Sequence, residues 1–169
     1  MTPEFAEDAL KADLEQLLAG QLFPCSAGQD RPIQIYIQDL PVTTGNDDTD
    51  RSQDVPEPYI IVRTNEGTIP AGEGGQEVQL ILVICLYNPS PDRQGHRDVL
   101  HIIHEITARY CKNPLIRLKA GSGGARGGPW TVKKPIQWAT QAEETHPYYY
   151  GAVECKLEMP AVQSEVPFL

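Results

Sequence analysis

The stretch EVQLILVICLY, Glu77 to Tyr87, constrains the fold more than any other. Its apolar run from Leu80 to Leu86 has the length of a strand. It falls far short of the roughly 20 residues that a membrane-spanning helix needs. Apolar residues occupy both odd and even positions. Successive strand side chains point to opposite faces, so the pattern predicts a strand covered on both sides, at the centre of a sheet.

The rest of the chain supplies elements to build around it. Leu10, Leu14, Leu17 and Leu18 form one apolar stripe in an acidic first helix. Thr2 and Pro3 suit its start and Gly20 its end. Ile33, Ile35 and Ile37 alternate with Gln34, Tyr36 and Gln38, which predicts a strand with one buried face. Tyr59 to Thr64 reads as a second strand, before the central one. Ser90-Pro91-Asp92 opens a second helix that Asn113-Pro114 ends. In the next strand Trp130, Val132, Ile136 and Trp138 share a face, and Pro135 predicts an edge or a bulge. In the last strand Val153, Cys155, Leu157 and Met159 point inward, whereas Glu154, Lys156 and Glu158 point outward. The expected fold is a single α+β domain over residues 1–169. It has a mostly antiparallel or mixed sheet of about five strands, with two helices packed on one face.

Two stretches lack periodicity, at about 41–58 and 119–128, and are expected to be flexible loops. The first carries Asp47, Asp48, Asp50, Asp54 and Glu57 against one base, Arg51. The net charge is −9, and without this segment it would be about −5. An acidic chain with scattered Lys and Arg is a poor match for sequence-specific nucleic acid binding. The four cysteines form no C-x-x-C pair, and reduced, buried thiols are the expectation.

The candidate chemistry sits in HRDVLHIIHEITARYC, residues 96–111, which holds three of the four histidines. On a helix His101 and His104 lie roughly 60° apart, on the side opposite Val99, Ile102, Ile103, Ile106 and Tyr110. Arg97 shares their face and would repel a cation. The acid follows the histidine pair, whereas metalloprotease helices place it between them. No metal site is expected here. The glycine-rich stretches complete neither G-x-G-x-x-G nor a P-loop. Asp48-x-Asp50 starts like a calcium loop, but Gln53 and Tyr59 stand where its glycine and closing acid belong. No serine sits in a G-x-S-x-G elbow. The expectation is therefore no cofactor and no catalytic residue. A small hydrolase using His101, His104 or Cys111 is the enzymatic alternative.

Taken together, several pieces resemble the tail-terminator, or tail-completion, proteins of long-tailed bacteriophages and prophages. They are the helix DALKADLEQLLAG, a strand and a long polar insertion, then LILVICLYNPSPD. The helix GHRDVLHIIHEITARYC and the closing PIQWATQAEETHPYYYGAVECKLEM follow. The resemblance spans roughly Leu10 to Met159 and rests on organisation, with no single diagnostic residue. It implies a non-enzymatic subunit of a ring, usually a hexamer. Such a ring caps the tail tube, stops its polymerisation and presents a surface to the head-side connector. Its partners would be itself, the tail-tube protein and the connector. Its place would be the virion tail, or the bacterial cytoplasm during assembly. Candidate contact residues are Arg97, His101 and His104 on the helix, Glu154 and Lys156 on the last strand, and Asp47, Asp48 and Asp50 in the acidic loop. Another neck, head-completion or tail component of the same machine is the nearest alternative.

Overall fold

Strand β5 (Gln76–Tyr87) lies inside a six-stranded sheet of order β3 (Gln34–Ile37), β4 (Tyr59–Thr68), β5, β8 (Tyr148–Met159), β7 (Trp130–Thr140), β6 (Leu115–Ile116). The structure is a computed structural model, and it describes residues 3–41, 56–71, 75–117 and 129–159. The elements run α1 (Pro3–Leu17), β1 (Leu22–Phe23), β2 (Arg31–Pro32), β3 (Gln34–Ile37), β4 (Tyr59–Thr68) and β5. Then come α2 (Gln94–Lys112), β6 (Leu115–Ile116), β7 (Trp130–Thr140) and β8 (Tyr148–Met159). β3 pairs with β4 in parallel, and the other pairs of the sheet are antiparallel. This is the expected α+β architecture with a mixed sheet. It has more strands than about five, because β6 joins the sheet and β1 pairs with β2 outside it. Those three are two residues long, too short to carry a period.

Both helices pack on one face. Val78, Leu80, Leu82, Ile84 and Leu86 of β5 meet Val153, Cys155 and Leu157 of β8 beneath Val99, Ile102, Ile103 and Ile106 of α2. Leu10, Leu14 and Leu18 carry α1 onto the β3–β4 side of this core. Asp13 ties the helices together: it accepts from Arg109 Nη2 at 2.8 Å and from the buried Tyr110 hydroxyl at 3.0 Å. The buried Glu7 carboxylate accepts from Gln38 Nε2 and Thr64 Oγ1, which fixes α1 to the sheet.

The helix ends fall where the sequence places them. Gly20 does stop the first helical segment, with φ +81. Arg93, just after Ser90-Pro91-Asp92, is the N-cap of α2; its φ is +61 and its side chain caps nothing. The Asp92 carboxylate instead accepts from the Gln94 amide at 3.1 Å, one residue early.

β7 carries the bulge that Pro135 predicted: its register shifts between Lys133 and Gln137 against β8. Beyond it Trp138 pairs with Val153, on the core side as expected, yet 56% of it is exposed. β6 shields only the Trp130–Thr131 end of β7, so Trp138 sits at an open edge.

Candidate interaction surface

The sheet face away from the helices departs most from expectation. Alternation places Glu77, Gln79, Ile81, Val83, Cys85 and Tyr87 of β5 on it. β5 lies inside the sheet as expected, but among the described residues the helices cover only the other side. The outward β5 residues Ile81, Val83 and Tyr87 are half-buried, whereas Cys85 is buried. Across the strands Tyr59, Cys85 and Tyr150 align in one row, and Ile61, Val83 and Ala152 in the next. Tyr87 pairs with Tyr148, ring centroids 5.4 Å apart and edge-on, and Tyr36 meets Tyr59 at 6.4 Å. Five tyrosines thus gather at one end of the free face.

Cys85 is buried among them. Tyr59 and Tyr150 flank it in register, and burial pushes the thiol up to about 11. Burial, then the Cys85 neighbour, raises Tyr59 and takes Tyr150 up to about 12. All three are neutral at physiological pH, so this thiol is no nucleophile.

The opposite end of the face is charged. Lys156 is exposed between Gln79 and Lys133 in register. Glu154 accepts from Gln79 Nε2, and Lys133 pairs with Glu158. A shallow cavity of about 410 Å³ opens there, lined by Lys133, Lys134, Glu77, Glu154 and Lys156. Glu154 and Lys156 therefore lie together on one surface, as expected.

The outer side of α2 is a separate surface. Arg97, His101 and His104 are all exposed on it. His101 Nε2 stands 3.2 Å from Glu105, whose other oxygen accepts from Gln21 Nε2 at 2.6 Å. Asp98 is engaged by Asn88 and Gln94. Among the described residues no group of three or more His, Cys, Asp or Glu could hold a metal. Near the start of α2 a cavity of about 450 Å³ separates it from the β7–β8 loop. There Arg93 pairs with Glu144 at 2.6 Å and His146 Nδ1 lies 3.1 Å from the Tyr149 hydroxyl.

Asp47, Asp48 and Asp50 lie outside the described residues, as do residues 119–128. Glu57, counted with the acidic loop, is not a surface residue: it is 3% exposed, and Arg31 donates to its carbonyl oxygen. From the sequence Tyr148-Tyr149-Tyr150 reads either as a contact patch or as a strand start with rings in the core; the wider cluster was missed because its members come from four strands. The signal was present in Tyr148-Tyr149-Tyr150 and in Tyr59 and Tyr87 at the strand ends, but only the register brings them together. No helix of the described residues is long and apolar enough to cross a membrane. No protein-family model matches the chain, and no curated protein does.

Proposed function

We propose that the chain is a structural subunit of a phage tail. As a ring it caps the tail tube, ends tube polymerisation and offers a surface for joining the head. The order of elements that carries the resemblance supports this reading. So does the presence of two chemically different surfaces on one subunit. A ring repeats a head-to-tail contact, which needs two different patches. The free sheet face is one candidate, and the outer side of α2 with Arg97, His101 and His104 is the other.

The observation that carries the proposal is the apolar, tyrosine-rich half of the free face. β5 has 12 residues, so the face is about 40 Å long at roughly 3.3 Å per residue. Four long strands at about 4.8 Å spacing make it about 19 Å wide. The product, about 760 Å², is the footprint of the whole face; its apolar half is about 380 Å², the size of a functional surface patch. Aromatic centres with charged surroundings are the usual anatomy of such a contact.

The experiment is solution mass by light scattering, followed by addition to polymerising tail tubes. A mass near six times 18.7 kDa, or tubes that stop growing when the chain is added, is the expected result. Val83→Lys should fold and lose both. A monomer at every concentration that leaves tube growth unchanged overturns the proposal. The double variant His101→Ala, His104→Ala tests the enzymatic alternative: loss of a hydrolytic activity on an intact fold would establish that alternative instead.

A further inference from the structure

Strand β7 is an outer strand for most of its length. Its Val132 amide donates to the Pro114 carbonyl at 2.8 Å, and β6 pairs only with Trp130 and Thr131. Beyond Val132 no strand among the described residues lies on that side. The other side of β7 follows β8 as far as the Gln141 amide, which donates to the Tyr150 carbonyl at 3.1 Å. In an antiparallel ladder the backbone groups of successive residues point to alternate sides of the strand. Gln137, Ala139 and Gln141 therefore face β8, and the N–H and C=O of Trp138 and Thr140 point outward. The outward Val132 amide agrees. From Lys133 to Gln137 β7 takes four steps against two on β8, and the even excess keeps the phase.

An open edge is a template for another strand, and sheets usually blunt it with charge, proline or a bulge. The first half of β7 carries all three, in Lys133, Lys134, Pro135 and the register shift beside them. The second half carries none. Ile136 to Ala142 has no charged residue, and Trp138, beside the free backbone groups, is 56% exposed. Unpaired amides and a large exposed ring on one uncharged edge fit an extended chain, whose backbone the edge bonds and whose side chains the ring covers.

We propose that this edge pairs with the same edge of a second copy, antiparallel and about a two-fold axis. The stretch is complementary to itself. With Ala139 on the axis, Trp138 lies opposite Thr140 of the other copy and Thr140 opposite its Trp138. Each of these pairs exchanges two backbone hydrogen bonds. Trp138 shares the helix side of the sheet with Val153, so the two indoles become diagonal neighbours there, within reach of each other. Gln137 meets Gln141, so no charge is buried. The Lys133–Lys134 end of each edge runs toward Glu143 at the end of the other, which opposes unlike charges. The paired stretch is short, which places the contact among weak, transient interfaces. It does not rest on the ring reading, because neither the free face nor the outer side of α2 takes part.

The test is self-association of the full chain carrying Val83→Lys, which removes contacts through the free face. Light scattering from micromolar to millimolar chain should show a mass rising toward twice 18.7 kDa. The Trp138 and Thr140 amides should exchange fast in dilute protein and about tenfold or more slowly in concentrated protein, with Ala139 slow in both. Trp130 is fully buried, so a fall in acrylamide quenching on association reports Trp138. Trp138→Lys puts a charge on the edge, and Thr140→Pro removes an outward donor while sparing the β8 ladder; each should weaken association about tenfold or more. A monomer at every concentration overturns the proposal. So does association in which both amides stay fast, or protection that is the same at every concentration, since the edge is then covered within one chain. A mass beyond two chains, or association that Trp138→Lys leaves unchanged, also overturns it. If Thr140→Pro does not fold, exchange of the Thr140 amide decides the backbone pairing. With Val83→Lys present throughout, failure of the ring reading leaves this result unchanged.

Discussion

Gly151→Ala is the sharpest test of how α2 sits on the sheet. Gly151 lies on β8 directly under the helix. A Cβ there would meet Val99 Cγ1 at 2.6 Å and Ile103 Cδ1 at 3.1 Å. Comfortable carbon contacts need about 3.5–4.0 Å, so roughly 1 Å of extra separation must be found. Val99 cannot swing aside, because a β-branched side chain on a helix has essentially one rotamer. The helix must lift from the strand, and overpacking of this kind costs about 1–3 kcal/mol. In a chain of 169 residues, each kcal/mol lowers Tm by roughly 2–4 °C. The variant should therefore melt roughly 2–12 °C below the parent. Val99→Ala alone leaves a cavity and should cost about 1.5–2.5 kcal/mol at roughly 0.8 kcal/mol per lost methyl-sized group plus a cavity contribution. The double variant should be more stable than the sum of the singles predicts, by at least about 0.5 kcal/mol. Calorimetric melts of the four proteins read this directly. A Gly151→Ala melt equal to the parent's, or strict additivity in the double variant, refutes the close approach of α2 to β8.

Three further outcomes are expected. Asp13→Ala should cost about 1–3 kcal/mol, since it strips the Tyr110 hydroxyl, in a residue 1% exposed, of its acceptor; adding Tyr110→Phe should recover part of that loss in urea melts, and no recovery counts against the bond. Burial pushes Cys85 up to about 11 and Cys155 up to about 12 from 9.0, so the unfolded chain releases these protons first. Their contribution is whole below about pH 9 and is lost as pH rises through the folded values, so the urea midpoint should be lower near pH 10.5 than near pH 8, and equal midpoints reject this. Of the four free thiols only Cys111 is exposed, so a thiol reagent should label one per native chain and four per unfolded chain; fast labelling of Cys25, Cys85 or Cys155 in the native protein contradicts the burial pattern.

How much could be read in advance follows from the length and period of each signal. The α2 stripe of Val99, Ile102, Ile103, Ile106 and Tyr110 is buried as its period required. The inward set Val153, Cys155, Leu157 and Met159 is buried too. Both signals run through several repeats. What composition hides is which layer covers which face. β5 is apolar on both sides, which suggested a covered strand, yet both helices take the same side. Glu57 looked like one of a run of loop acids, but it is buried two residues before β4, where Arg31 donates to its carbonyl oxygen. Trp138 has the right parity for the core and the wrong position along β7, past the shielding of β6. Each departure depends on where separate elements stop relative to one another, which no local window contains.

The free face itself bears on assembly. An antiparallel sheet open to solvent on one side usually alternates apolar and polar residues cleanly. Here Ile81, Val83, Cys85 and Tyr87 break that rule at consecutive outward positions, and Tyr59, Ile61, Tyr148, Tyr150 and Ala152 flank them. Folding alone does not need them, since the inward residues already fill the core under the helices. Cys85 and Ile61 are buried and the others half-buried, so on the proposed reading this patch is the part of the face that a partner would cover. The nature of that partner follows from symmetry. If the patch met itself about a two-fold axis, both surfaces would be used up and assembly would stop at two. If it met a different surface, such as the outer side of α2, every subunit would keep one free patch until the ring closed. A stable two-chain species that Val83→Lys dissolves would thus make the face an interface and still exclude the head-to-tail ring. A larger closed species, dissolved by Val83→Lys and also by His101→Ala, His104→Ala, requires two different patches and fits the ring.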